Sequence, residues 1–257
     1  MTASLDDLKR IDTALDAAGA VLSEFVSGEV AVQRKDDRSP VTAADYAVDR
    51  VLRESLPADG EGWLSEETED DPARLSCSRV WIVDPIDGTR QFIEGVPEWG
   101  VSIGLAVDGV ATAGGFLNPA TGLRVVGGVG LGCMVNGSPC SVTDGPSLAD
   151  CHVLASRSEH RRGEWDRYQG MELTVQTIGS VAHKLAVVAS GQADATWTLR
   201  PKNEWDVAAG VALLKAAGGL GVLPDGREPV FNQPDPQVAA LVSGGVRRVA
   251  AIQELVA

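Results

Sequence analysis

Several kinds of chemistry are poorly supplied in this chain. Only three histidines occur (His152, His160 and His183), none in an H-E-x-x-H pattern, so imidazole catalysis has little to work with. The four cysteines, Cys77, Cys133, Cys140 and Cys151, form no C-x-x-C pair and read as reduced thiols rather than as a zinc site. Basic residues are in deficit, 22 Lys and Arg against 36 Asp and Glu, for a net charge of −14. That balance argues against a nucleic-acid polymer or an anionic membrane surface as partner. No apolar run approaches the ~20 residues of a membrane span, and the N-terminal segment is acidic and amphipathic without the apolar core of a signal peptide. The expected location is cytoplasmic. No internal repeat or low-complexity segment occurs. The G-x-G-x-G of Gly128, Gly130 and Gly132 precedes no helical pattern, which excludes a dinucleotide fingerprint.

What is present is an ordinary globular composition over 257 residues, 44% apolar and 23% charged. This suffices for one large α/β domain or two smaller ones. Apolar residues at helical spacing predict a helix over 5–26, with Ser4 and Asp7 as a capping start, and a second from Thr42 to Leu56. Short strands are expected at 30–32 and 62–65, with a loop at Ser39-Pro40. An antiparallel meander follows through 99–107, 110–117 and 123–126, turning at Asp108-Gly109 and Asn118 to Gly122, with a further hairpin signal at Asn136-Gly137. Beyond a composition shift at Asp144-Gly145-Pro146, strands at 151–155, 174–178 and 193–199 alternate with helices at 158–168, 180–190 and 205–217. Gly218-Gly219 stands as a C-cap, with a strand at 238–242 and a helix at 246–256 last. The expected division is an N-terminal half, 1–145, and a C-terminal half, 146–257.

The stretch Val80-Trp81-Ile82-Val83-Asp84-Pro85-Ile86-Asp87-Gly88-Thr89 reads as a strand buried on both faces that stops at Asp84-Pro85. It delivers two carboxylates, a glycine and a hydroxyl to the strand's end, where open α/β sheets bind ligands. Glu66 also follows an apolar strand. Asp206 and Asp45 stand in the first turns of helices, where the dipole alone would explain them. Gly179-Ser180 opens a helix whose free N–H groups suit phosphate, though an ordinary cap explains it equally. Converging carboxylates without histidine or thiol point to a hard cation such as Mg2+, and cations would also screen an anionic substrate from this acidic chain.

W-I-V-D-P-I-D-G-T resembles the first signature of the inositol monophosphatase superfamily, and E-W-D-V-A-A-G its second. Ser39-Pro40-Val41-Thr42-x-x-Asp45 and Leu64-Ser65-Glu66-Glu67 stand in that family's order. The resemblance implies an α/β (α+β layered) fold, a five-layer α-β-α-β-α sandwich of the inositol monophosphatase and fructose-1,6-bisphosphatase type. It implies a phosphomonoester hydrolase using metal-activated water and two or three Mg2+ ions. Glu66, Asp84, the Ile86 carbonyl, Asp87 and Asp206 would bind metal. Gly88 and Thr89 would contact phosphate, and Asp45 would pair with the Thr89 hydroxyl, with Glu66 assisting catalysis. Within the superfamily, Lys35-x-Asp37-x-Ser39-Pro40-Val41-Thr42-x-Ala44-Asp45 and D-G-T-R-Q-F-I are closest to the CysQ-type 3′(2′),5′-bisphosphate nucleotidases. Lys184, together with Ser180 and Asp206 among the substrate contacts, would suit a second phosphate; the plain alternative is a solvated helix lysine. Glu159 stands where that branch has histidine, with His160 one position on. The expected substrate is 3′-phosphoadenosine 5′-phosphate. An inositol-1-phosphate or other polyol phosphate is the rival, and a catalytically silent binding protein the rival of a different class. The resemblance leaves monomer and homodimer both open.

Overall fold

The computed structural model describes residues 2–35 and 39–257, so Asp36, Asp37 and Arg38 of the Lys35–Asp45 motif lie outside the described residues. The chain opens with α1 (Leu5–Leu22), whose Ser4 and Asp7 close a reciprocal capping box as expected. Strands β1 (Val32–Arg34) and β2 (Pro40–Thr42) then pair antiparallel, where a loop was expected at Ser39-Pro40. Pro40 is tolerated because it begins its strand. Thr42 caps α2 (Ala43–Ser55).

The first sheet has seven strands in sequence order: β3 (Gly62–Ser65), β4 (Arg79–Asp87), β5 (Gly100–Val107), β6 (Val110–Asn118), β7 (Leu123–Gly128), β8 (Gly132–Val135) and β9 (Ser138–Cys140). Only β3 and β4 run parallel, joined through a 3-10 turn at Pro72–Ser76; the rest is the expected antiparallel meander. β4 does not stop at Asp84-Pro85. Its register shifts there and resumes with Asp87 opposite Gly100. Pro85 falls in the irregularity, where its missing N–H breaks no ladder bond, and the short α3 (Thr89–Ile93) follows.

The second half contributes β10 (Cys151–Ser156), α4 (Arg157–Arg161), β11 (Leu173–Ile178), α5 (Val181–Ala189), β12 (Ala195–Thr198), β13 (Lys202–Asn203), α6 (Glu204–Ala216), β14 (Leu220–Val222), β15 (Gln237–Val238), β16 (Leu241–Gly244) and α7 (Val246–Val256). Five of these strands form a sheet in the order β11-β10-β12-β16-β14. Two expectations change here. The helix over 158–168 ends at Arg161, because Gly163 turns left-handed (φ +74°), leaving only a 3-10 turn at Asp166–Tyr168. The strand over 238–242 splits, Val238 pairing with Lys202 and Leu241 with Thr198.

The layering follows from which faces are apolar. One core joins α1 and α2 to the first sheet through Ile11, Leu15, Val48, Leu52, Trp81, Val83 and Ile103. A second places α5 and α6 between the two sheets through Ile82, Phe116, Leu185, Val207, Val211 and Leu241. A third covers the far face of the second sheet with α7 and the Trp165, Tyr168 and Trp197 aromatics. The result is the five-layer α-β-α-β-α sandwich. α6 lies so close to the first sheet that a Cβ on Gly114 would come within 2.4 Å of the Ala209 carbonyl oxygen. All four cysteines are free, and among the described residues no helix is long and apolar enough to cross a membrane.

Candidate active site

The period of two along β4 sorts its side chains. Trp81 and Val83 enter the core under α1 and α2, while Val80 and Ile82 enter the core containing α6. Asp84, two residues past Ile82, therefore projects toward α6, whose first turn carries Asp206. Glu66 follows the neighbouring parallel strand, its N–H donating to Val83 O at 3.3 Å. Carboxylate oxygens of Glu66, Asp84 and Asp206 all lie within 4.8 Å of one another. Three strand-end or helix-start acids far apart in sequence thus meet at one point.

Such a cluster is electrostatically unfavourable by itself. Asp84 is 2% exposed. Its carboxyl is held well above the usual carboxylate range, chiefly by burial and then by the charges of Glu66, Asp87 and Asp206. Asp206 moves the same way, by burial and then by Asp87 and Glu66. Oxygen ligands of this kind, with no thiol or imidazole among them, fit a hard divalent cation, which would remove the mutual repulsion. Asp206 Oδ2 also accepts from Asn203 N at 3.0 Å, so its capping role and its place in the cluster hold together.

Asp87 is placed differently. Its Oδ2 accepts from Ser180 Oγ at 2.8 Å and from Ala182 N, which ties it to the N-terminus of α5. Burial raises its pKa, against those hydrogen bonds and the charge of Lys184. Ser180, expected to face phosphate, is fully buried and divides its hydroxyl between Asp87 and the cap to His183 N. The anion at this helix end is a carboxylate of the chain itself.

Asp45 and Thr89 meet as expected. Thr89 Oγ1 lies 3.1 Å from Asp45 Oδ1 and 3.1 Å from Ile86 O; having one proton, it donates to one at a time. The other Asp45 oxygen accepts from Thr42 N at 2.8 Å and Thr42 Oγ1 at 2.6 Å. Gly88 between these parts is left-handed (φ +97°), and a Cβ there would stand 2.9 Å from Glu98 O.

Further charged residues close around the site. Lys35 Nζ reaches Glu66 at 3.2 Å and Glu67 at 2.6 Å. Burial pushes Glu67 up to about 7, with the charges of Glu66 and Asp45 adding to it against the Lys35 hydrogen bond. Glu98 accepts from Gly179 N at 2.9 Å and pairs with Arg157, clamping the α5 entrance beside Gly88. Glu159 is buried and accepts from Thr198 Oγ1 at 2.6 Å and Lys202 Nζ at 3.0 Å, whereas His160 is exposed. Lys184 is 3% exposed rather than solvated. The adjacent Glu-Glu pair was the one available hint for Glu67. Nothing local announces Glu98.

The chain is similar in sequence and in fold to known proteins. The chain is 31% identical over 204 residues to an inositol-1-monophosphatase of Rhizobium meliloti, covering 76% of each. It is 30% identical over 229 residues to a histidinol-phosphatase of Chlorobaculum parvum, covering 86% of this chain and 87% of that one. Its fold superposes on the structure of an inositol monophosphatase from Anabaena with a TM-score of 0.78, at 26% identity over 97% of this chain and 94% of the other. With the inositol monophosphatase family model matching residues 5–256, from α1 to the end of α7, the chain belongs to that family of phosphatases.

Proposed function

We propose that this chain is a Mg2+-dependent phosphomonoester hydrolase acting on a small polyol or amino-alcohol monophosphate. The observation that carries the reading is the convergence of Glu66, Asp84 and Asp206 beside the Asp45–Thr89 pair. Mg2+ held by these three, with the Ile86 carbonyl and Asp87 as further oxygens, would neutralise phosphate charge and acidify an attacking water. Around it, the Gly88 and Thr89 amides take phosphate oxygens. Thr89 Oγ1 orients the water and passes its own proton to Asp45 Oδ1 as it takes the water's, so Asp45 holds the proton released in the attack. Ser180 and Ala182 fix Asp87 from behind. In-line hydrolysis asks for positioning and charge neutralisation more than covalent chemistry, which is what these residues offer.

The monophosphate choice rests on the relatives, which include inositol-1-monophosphatases and histidinol-phosphatases. A second reading, a 3′(2′),5′-bisphosphate nucleotidase acting on 3′-phosphoadenosine 5′-phosphate, is favoured by the likeness of the Lys35–Asp45 and Asp87–Ile93 segments to that branch. Phosphate release from inositol 1-phosphate, histidinol phosphate, fructose 1,6-bisphosphate and 3′-phosphoadenosine 5′-phosphate, each with Mg2+, separates the two. A kcat/KM highest on a monophosphate supports the first reading, and a clear preference for the nucleotide would replace it by the second. The site residues and substrate contacts stand or fall with these assays, as does the cytoplasmic setting with localisation of the tagged protein.

A further inference from the structure

Lys184 lies on α5, the helix packed between the two sheets, and is buried with most of that helix. Among the described residues, its Nζ has no hydrogen-bond partner. It lines a void of about 10 Å3 together with Thr196, Thr198, Lys202 and Ser243. That is room for about one water molecule, and a phosphate group is far larger. Ser243 Oγ shares the void and also lacks a protein partner, while Lys202 is committed to Glu159. Burial pulls the Lys184 ammonium down to about 8, offset in part by the charges of Asp87, then Glu159 and Asp206, with Lys202 acting in the same sense as burial. Asp87 is the carboxylate that binds the N-terminus of the same helix, one turn before Lys184. An ammonium buried without a direct partner persists only where carboxylates nearby compensate it.

We propose that Lys184 is an internal counter-cation for Asp87, performing beside the metal site the neutralisation that a further divalent ion would otherwise perform. The proposal rests on the Mg2+-phosphatase reading. Lys184 is a positioning residue: it sets the charge seen by the ions, and its ammonium does not contact the substrate. The void beside it accommodates a solvent molecule shared with Ser243, in keeping with two unpaired polar groups facing one small space.

The test is a Mn2+ titration of the full chain by calorimetry and electron paramagnetic resonance, on wild type, Lys184→Met, Lys184→Gln and Ser243→Ala. Removing the ammonium leaves the carboxylates more negative. Both Lys184 variants are therefore expected to bind Mn2+ about tenfold more tightly, or to take up one more ion at saturation. Their thermal midpoint should also rise more on metal addition than that of wild type. Ser243→Ala, which changes the void and keeps the charge, is expected to match wild type. Unchanged stoichiometry with affinity within about twofold, or weaker binding, in folded Lys184 variants would overturn the proposal. So would losses confined to bisphosphate substrates with metal binding intact. Wild type alone also decides: one tight Mn2+ per chain is expected, and two or more equally tight ions would overturn the counter-cation. A wild type that binds no Mn2+ would instead defeat the metal-dependent reading on which it rests.

Discussion

Gly88 is the residue on which the site geometry leans most, and replacing it by alanine separates two costs. The first is conformational: at φ +97° an L-residue costs about 1–2 kcal/mol. The second is contact: the new Cβ would stand 2.9 Å from Glu98 O, 3.1 Å from Trp99 Cβ and 3.2 Å from Ser180 Cβ. Two of these neighbours are pinned, Glu98 by Arg157 and Gly179, and Ser180 by Asp87. Relief must come from moving the Asp87–Thr89 turn, at a further cost of about 1–3 kcal/mol. A displacement of the order of 1 Å there should lower kcat by roughly 10²-fold. Gly60→Ala is the matched control, since Gly60 has φ +83° and nothing within 4 Å of the built Cβ. It should lose only the conformational ~1–2 kcal/mol and keep full turnover. Chemical denaturation and phosphate release on both variants measure the two costs. If Gly88→Ala loses no more stability than Gly60→Ala and turns over like wild type, the turn does not position the chemistry as argued.

Thr89→Val keeps shape and removes the hydroxyl that donates to Asp45, so kcat should fall on the order of 10²-fold with KM nearly unchanged; a kcat within about twofold of wild type would remove the pair from the mechanism. Far from the site, burial acts to raise Glu61, yet hydrogen bonds from Arg10, Trp81, Ala58 N and Arg79 outweigh it and hold Glu61 at about 2, below its ordinary 4.5. Because the folded value is the lower one, Glu61 stabilises the protein above pH 4.5 and the contribution drains away as pH falls toward 2. After discounting for solvent screening it amounts to about 1–2 kcal/mol. The stability gap between wild type and Glu61→Gln should close over that window, and a gap independent of pH would refute the assignment.

The residues most legible in the sequence were those whose role follows from a local rule. A buried strand ending in Asp84 and a helix opening at Asp206 are readable one at a time, and the layered topology brings their ends together. For Asp45 the capping explanation and the Thr89 pairing were rivals on paper. In the fold each uses a different oxygen of one carboxylate. What failed to show was whatever depends on a second element packing against the first. Lys184 reads as solvent-facing on an isolated helix and is buried because a sheet lies on either side of α5. Ser180 looks like an open phosphate cap until Asp87 arrives from 93 residues away. The left-handed Gly163 and the bulge at Pro85 are backbone events whose sequence signals, a glycine and a proline, fit several outcomes.

The central claim is that the Glu66–Asp84–Asp206 cluster holds the divalent cation on which phosphate-ester hydrolysis depends. Its most direct test combines Mg2+ binding by calorimetry with phosphate release for wild type and Asp84→Asn, in Mg2+ and in chelator. Asp84 is buried and gains little from the fold by being charged, so the amide variant should remain folded by circular dichroism. It should bind Mg2+ far more weakly and lose turnover, as wild type does in chelator. A folded Asp84→Asn that hydrolyses phosphate esters at the wild-type rate, or a wild type equally active without divalent ions, would contradict the account.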